Sequence, residues 1–373
     1  MTTNDDLTLR VSTATRKGSG YTLSNPHILG GWTDVRFTRG VERCPSDFQI
    51  SMTDVYPMAN PPDMQVQPGD YCEVFLGADR VSTGWVDQFI PGFNDGSHTV
   101  TLTGRSKCQD LVDCAAVYDG FQLSNATALY IAQKLCAPFG IQASLAPGAN
   151  QGAPVEQVVI LAGETAYDVL ERVCRYRALL LYDTPSGDLE LAGIGKATAA
   201  SGFQEGVNVQ RAVAVYSMHQ RFSDYYAIYQ GLDQFSDIGG APNQIAHLVD
   251  AGVQRYRPRV VLSENVMGGS AIAEDRAAWE LSRRQGRSFM VRLTTDSWRD
   301  ASGALYTPNT LAPVVLPSLK LGTPQAPAMW LIAETTYKRS RAGTTCEVVL
   351  MPPQAFYQQP FIWVQFGPDQ TVQ

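Results

Sequence analysis

The stretch GWVDQFIPGFNDGSHTVTLTGRS runs from Gly84 to Ser106, and its outline returns as WLIAETTYKRSRAGTTCEVVLMPP, Trp330 to Pro353. Each reads as one hairpin. In the first, Trp85 leads to Gly96 and then to Val100 and Leu102 flanking Thr101. In the second, Trp330 leads to Gly343 and then to Val348 and Leu350 flanking Val349. Upstream of each lies a turn and a β run, PGDYCEVFL and TPNTLAPVVL. Earlier still, RCPSDFQI (Arg43 to Ile50) has a partner in RFSDYYAI (Arg221 to Ile228), which matches Ser46–Asp47–Phe48 to Ser223–Asp224–Tyr225. Any two hairpins share turns and aromatics, but three elements in the same order point to one sheet fold used twice. Duplication gives a chain internal pseudo-symmetry, so n copies present 2n similar faces.

Working outward, the first hundred residues alternate in the manner of strands: DLTLRV, TDVRFT, DFQISM, YCEVFL, TGWVDQFI and HTVTLTG. Pro and Gly punctuate them, and NDG supplies the turn of the first hairpin. From about Cys108 the period becomes helical. SNATALYIAQKLCAPFG offers Ser124 as a cap, and ETAYDVLERVCRYR has Thr165 and Asp168 at capping-box spacing. ALLLYDTPSGDLELAG reads as a hairpin. A further helix, SAIAEDRAAWELSRRQG, has Ser270 as its cap and Gly286 past its end. The expected fold class is mixed β and α+β, with two similar small antiparallel β-barrel domains and two smaller α+β modules. The first barrel occupies 1–108 and an α+β module 109–200. The second barrel is discontinuous, 201–244 and 305–357, around an inserted module at 245–304, and a tail covers 358–373.

Composition narrows the function. Hydrophobic residues at 44% and charged residues at 17% describe a folded chain with sizeable cores. A net charge of −7 argues against a protein that neutralises a phosphate backbone. Of the 29 basic residues, 23 are Arg. Arg forks suit desolvated pairing with carboxylates at buried interfaces, although a GC-rich genome gives the same bias. The 7 cysteines are scattered and never spaced as CxxC, so neither a disulfide framework nor a zinc site is expected. No apolar run approaches a membrane span, and no cleavable leader is legible at the start. The expectation is folding in a reducing cytoplasm, with no membrane anchor.

No catalytic pattern in the sequence is complete. GIGKAT (Gly193 to Thr198) lacks the Gly at position 190 and the Ser or Thr after Lys196 that a phosphate loop needs. The histidines His27, His98, His219 and His247 form no HxH or HExxH. Ser217 and His219 share a strand face without a nucleophile elbow. Asp110 with Asp113, and Glu164 with Asp168, are paired carboxylates in spacing only, and sequence cannot place them across a sugar cleft. No catalytic, cofactor-binding or metal-binding residue is expected. Two partner-interface candidates remain. Arg255, Arg257 and Arg259 in QRYRPR suit a nucleic-acid backbone or, in an acidic chain, a protein interface. The apolar tail FYQQPFIWVQFGPDQTVQ, with Phe361, Trp363 and Phe366, would pack on its own second barrel, on a neighbouring subunit or on another protein.

One wording is more specific. GGWTDVRFTRGVERCPSDFQISMT, followed by PGDYCEVFLGADRVSTGWVDQFIPGFNDGSHTVTLTGRSKCQDLVDCAA, resembles the baseplate hub proteins of Mu-like contractile-tailed bacteriophages, the late control protein D-like group. The resemblance covers residues 30–116 and departs from the family at STATRKGSGYTLSNPHI, which is longer than its usual lead-in. It implies a structural, non-enzymatic homotrimer with pseudo-sixfold symmetry in the virion, assembled in the bacterial host cytoplasm. Such a hub would join the sixfold tail tube and other baseplate proteins to the trimeric tail-spike protein, and would leave an axial passage for DNA without sequence-specific binding. Two alternatives stay open. A tail-associated cell-wall hydrolase predicts a carboxylate or His pair in a cleft, and a carbohydrate-binding tail protein predicts an exposed aromatic platform.

Overall fold

Alternating patterns become strands wherever one face can be covered. The computed structural model describes residues 6–17, 20–53, 66–95, 97–230, 243–263, 266–267 and 269–357. Its first strands are β1 (Leu7–Ser12), β2 (Ala14–Lys17), β3 (Gly20–Leu23), β4 (His27–Leu29), β5 (Asp34–Gly40), β6 (Arg43–Thr53), β7 (Tyr71–Leu76), β8 (Asp79–Asn94) and β9 (Ser97–Ser106). Along β7 the burial alternates strictly, with Cys72, Val74 and Leu76 inward. That is the period-2 signature of a sheet with one face on a core.

A unit with its own core follows: α1 (Gln109–Asp113), β10 (Gln122–Ala126), α2 (Ala128–Cys136), β11 (Ala143–Leu145), β12 (Val155–Val159), α3 (Ala166–Tyr176), β13 (Leu180–Asp183) and β14 (Leu189–Ala192). Leu111, Ile131, Leu135, Val169, Leu170 and Leu191 are buried together there. Burying one such side chain contributes about 1.5–3 kcal/mol. The expected capping box of α3 is present, with Thr165 and Asp168 bonding reciprocally. The expected cap of α2 is not Ser124. Ser124 sits in β10 opposite Gln157 of β12, and Thr127 accepts the Tyr130 N–H instead.

The remaining elements are β15 (Phe203–Gln204), β16 (Val209–Tyr216), β17 (Asp224–Gln230), β18 (Asn243–Val249), β19 (Pro258–Ser263), β20 (Val266–Met267), α4 (Gly269–Arg287), β21 (Phe289–Thr295), β22 (Leu311–Val315), β23 (Ala328–Ser340) and β24 (Gly343–Met351). A 3-10 turn at Pro353–Phe356 follows. Gly286 does not end α4 as its sequence position suggested. It lies inside the helix, where a β-carbon would collide with Ala355 of that turn.

Thirteen strands build one large sheet, along the path β16-β21-β24-β23-β5-β6-β9-β8-β7-β1-β4, with β22 and β15 branching from β23. The duplication is visible in this path. The first half runs β1-β7-β8-β9-β6-β5 and the second β15-β22-β23-β24-β21-β16, so corresponding strands come in the same chain order and the same spatial order. One pairing differs in sense: β1 meets β7 antiparallel, whereas β15 meets β22 parallel.

Three expectations are corrected by this topology. Among the described residues neither half closes into a barrel, because the second edge of β5 is taken by β23 (Gly40↔Glu334 to Val35↔Arg339). The result is one continuous sheet over a shared core containing Leu9, Phe37, Ile50 and Val86 with Val291, Ile332 and Val348. The second half is interrupted between Tyr216 and Phe289, not at 245–304, since β16 and β21 pair with each other. Finally, RFSDYYAI is not the counterpart of RCPSDFQI. It forms β17, which pairs with β18 and β19 in a separate sheet backed by α4, and the true counterpart of β6 is β21.

Candidate assembly surfaces

The equivalence of the halves can be set residue by residue, because both hairpins carry a β-bulge in the same place. In β8·β9 it falls between Val86, opposite Gly104, and Gln88, opposite Thr103. In β23·β24 it falls between Ile332, opposite Leu350, and Glu334, opposite Val349. The closing pairs Asn94↔Ser97 and Ser340↔Gly343 stand equally far from these bulges. Trp85 therefore corresponds to Leu331, not to Trp330, and Val100 and Leu102 correspond to Cys346 and Val348. A one-residue offset places the two tryptophans on opposite faces. Trp85 is half-buried under Tyr21 of the β2–β3 hairpin, ring centroids 5.0 Å apart, whereas Trp330 points into the core against Phe289 at 4.7 Å.

A bulge redirects its strand. Before the bulge β23 pairs with β22, and after it the same edge pairs with β5. This joint binds the halves through the Phe37 and Tyr337 rings, stacked with centroids 6.1 Å apart, and a buried contact between Thr38 and Thr336 hydroxyls at 3.1 Å. Arg39 donates to the Tyr337 hydroxyl at 3.0 Å. Burial holds that phenol above its ordinary pKa.

By equivalence, the strand matching β5 is β16, and the segment matching the distal part of β23 is residues 88–94 of β8. Among the described residues no strand pairs with the outer edge of β16 or with that edge of β8. Both carry exposed apolar groups: Ile90 and Phe93 on one, Val213 and Tyr216 on the other. Phe93 is 83% exposed, far more than an aromatic retains in a core.

A second surface lies on the separate sheet. Ala227, Ala246 and Val261 face α4, where they meet Ala273 and Ala277. Yet Ile245, Val249, Val260 and Leu262, which alternate with them, are exposed on the opposite face. A strand that is apolar on both faces ordinarily has both covered. The signal was present in NQIAHLVD and PRVVLS, whose apolar residues do not skip alternate positions.

Phe361, Trp363 and Phe366 lie outside the described residues. Arg255 is exposed beside Tyr256. Arg257 donates to the carbonyls of Met218 and His219, both at 3.0 Å, and Arg259 donates to Glu280 at 2.8 Å. Both guanidiniums lie over the Phe222 ring, so two of the three arginines serve the inserted unit itself. Of the carboxylates, Glu164 pairs with buried Arg172 at 2.9 Å and Asp168 caps α3. Asp113 pairs with Arg105 at 2.7 Å, and that hydrogen bond holds its pKa below the usual range. His219 meets Ser217 through its backbone N–H. All seven cysteines are free, and among the described residues no three His, Cys, Asp or Glu gather where one metal could be held. Among the same residues no helix is long and apolar enough to cross a membrane.

Comparison with known proteins agrees with this architecture in three of its units. Residues 24–106 match the family model of the Mu phage baseplate assembly protein GpP-like N-terminal domain. Residues 108–193 match the second domain of baseplate hub protein gp44-like chains, and residues 269–359 the fourth domain of Mu phage GpP. Baseplate hub protein gp44 of Escherichia phage Mu is 28% identical over 341 residues, spanning 88% of this chain and 86% of its own. The 43 kDa tail protein of prophage MuSo2 from Shewanella oneidensis is similar in structure, with TM-score 0.77, 28% identity, and coverage of 94% of this chain and 99% of that one. A tail protein from Neisseria meningitidis MC58 shares the fold at TM-score 0.74 and 20% identity, covering 94% and 98% of the two chains. With three of its units matched by models of Mu-like phage baseplate hub domains and its fold shared over 94% of its length with a Mu-like prophage tail protein, the chain is built of domains of the Mu-like phage baseplate hub family.

Proposed function

We propose that this chain is the structural, non-enzymatic hub of a contractile tail baseplate, and that three copies close a ring of six similar sheet units. The ring would meet a sixfold tail tube on one side and a trimeric spike on the other, with an axial passage for DNA. Assembly in the host cytoplasm and residence in the virion follow from that role. The observation that carries this reading is the β5·β23 joint, whose counterpart edges on β16 and distal β8 have no partner strand among the described residues. Heterologous contacts of this kind close into rings when the rotation permits.

The register of the joint between chains follows from the one within the chain. The closing pair of a two-residue hairpin exchanges both its hydrogen bonds, so the backbone groups of alternate residues point outward. In β23 these are Thr335, Tyr337 and Arg339, which face Arg39, Phe37 and Val35. Their counterparts Phe89, Pro91 and Phe93 would face Tyr216, Ala214 and Ala212 of the next copy. Burying Phe93 there would contribute about 1.5–3 kcal/mol. Pro91 has no N–H, so this ladder would have one rung fewer, and the free edge is blunted against indiscriminate pairing.

Light scattering on the purified chain, alone and with its spike, tests the proposal. A trimer is expected in at least one condition. Ala212→Pro removes only an outward donor in this register and is expected to leave a folded monomer that no longer trimerises. A strictly monomeric wild type in both conditions would overturn the ring, and a trimeric Ala212→Pro would overturn the edge pairing.

A further inference from the structure

A cavity of about 250 Å³ lies where α3, α4 and the β5–β6 turn converge, and its charge does not balance. Glu280 is shared by three guanidiniums: Arg259 at 2.8 Å, Arg276 at 2.9 Å and Arg284 at 2.9 Å. Glu42, on the turn, is shared by Arg283 and by Arg287, the latter at 2.8 Å. Glu171 meets Arg175 along α3. Six arginines thus line the cavity with three glutamates, and no Asp or Lys lines it. The excess is three positive charges, in a chain whose net charge is −7.

The burial makes this excess consequential. The Arg283 side chain is only 6% exposed and sits over the rings of Trp279, at 5.5 Å, and Phe356, at 4.4 Å. Burial, together with Arg287 and Arg284, pushes its pKa well down. Burial alone would raise Glu280, yet Arg276 and Arg284 pull it down to about 2. A desolvated cation short of counter-charge is costly, and a guanidinium has five donors to fill. Planar Arg forks match tetrahedral oxyanions bidentately.

We infer that this cavity binds a doubly charged oxyanion of the phosphate class, held between Arg175 of α3 and the arginines of α4. The site stands on one chain's own residues and does not depend on the ring. Two separately folded portions of the chain, the one with α3 and the one with β19 and α4, supply the guanidiniums, so the anion would stiffen their mutual placement.

Calorimetric titration of the full-length protein with inorganic phosphate, supported by ³¹P line broadening, provides the test. Sodium chloride and acetate at matched ionic strength are the controls, and a short single-stranded oligonucleotide is a further arm. Saturable phosphate binding is expected, absent with chloride. Arg287→Gln, at a partly exposed position, is expected to weaken it about tenfold while far-UV dichroism and the phosphate-free melting temperature stay unchanged. Glu42→Gln frees two guanidiniums and is expected to tighten it severalfold. Equal responses to phosphate and chloride would overturn the site, as would both variants binding like the wild type. Oligonucleotide binding without phosphate binding would overturn it in favour of a backbone-tracking surface.

Discussion

Gly104 stands directly across from Phe48, and the Phe48 ring fills the space a β-carbon on Gly104 would need. In the second half the corresponding pair is Leu350 across from Val291, with the bulk moved to the other strand. The two halves keep one topology while exchanging large and small residues, which close-packed interiors tolerate when total volume is conserved. Gly104→Ala is therefore expected to cost about 1–3 kcal/mol, read as a lowered urea midpoint at unchanged slope. The β-carbon would also lie 2.5 Å from the Trp85 carbonyl oxygen, so adding Phe48→Val is not expected to restore stability.

The separate sheet depends on a fully buried ion pair. Arg221 donates to Asp250 through Nε at 2.6 Å and Nη2 at 3.0 Å, and both side chains are 1% exposed. Breaking such a pair leaves an uncompensated buried charge and costs about 3–5 kcal/mol. Asp250→Ala is expected to open β17–β19 locally, seen as faster amide exchange over 224–230, 243–249 and 258–263, while exchange in β5 and β23 stays slow.

Acid should loosen α4 in a defined window. The folded pKa of Glu280 is depressed to about 2 from an ordinary value of 4.5. A depressed carboxylate contributes stability above its unfolded pKa and loses it as pH falls through the folded one. The melting temperature of the wild type is thus expected to fall between about pH 4.5 and about pH 2, with part of that slope missing in Glu280→Gln.

The exposed apolar face of β18 and β19 should matter to assembly and not to folding. Leu262→Lys, at a side chain 67% exposed, is expected to change stability by no more than about 0.5 kcal/mol. It is also expected to reduce dye binding to exposed apolar surface and to exclude the protein from assembled tails in a complementation assay. Normal incorporation would show that this face remains bare in the particle.

Much of this molecule is legible along the chain. The strands of the first hundred residues, the Thr165–Asp168 capping box and the hairpin after α3 all follow from local pattern, because they depend on neighbours a few residues away. The match of Trp85 to Trp330 failed by one position, since two bulges set the register and a bulge leaves no mark in composition. The match of RFSDYYAI to RCPSDFQI failed because similar strand wording says nothing about which strand lies alongside. The two edges without a partner strand among the described residues had no sequence signal at all, while the two-faced apolar strands β18 and β19 did.

What the sequence by itself determined is the repeated unit: which residues alternate, where turns fall, and that one hairpin form occurs twice. Only the tertiary structure decided how the halves meet. A period of two fixes which face of a strand is buried and leaves its partner open, so the β5·β23 joint, made between residues some 300 positions apart in the chain, rests on long-range packing and the bulge that turns β23 onto β5.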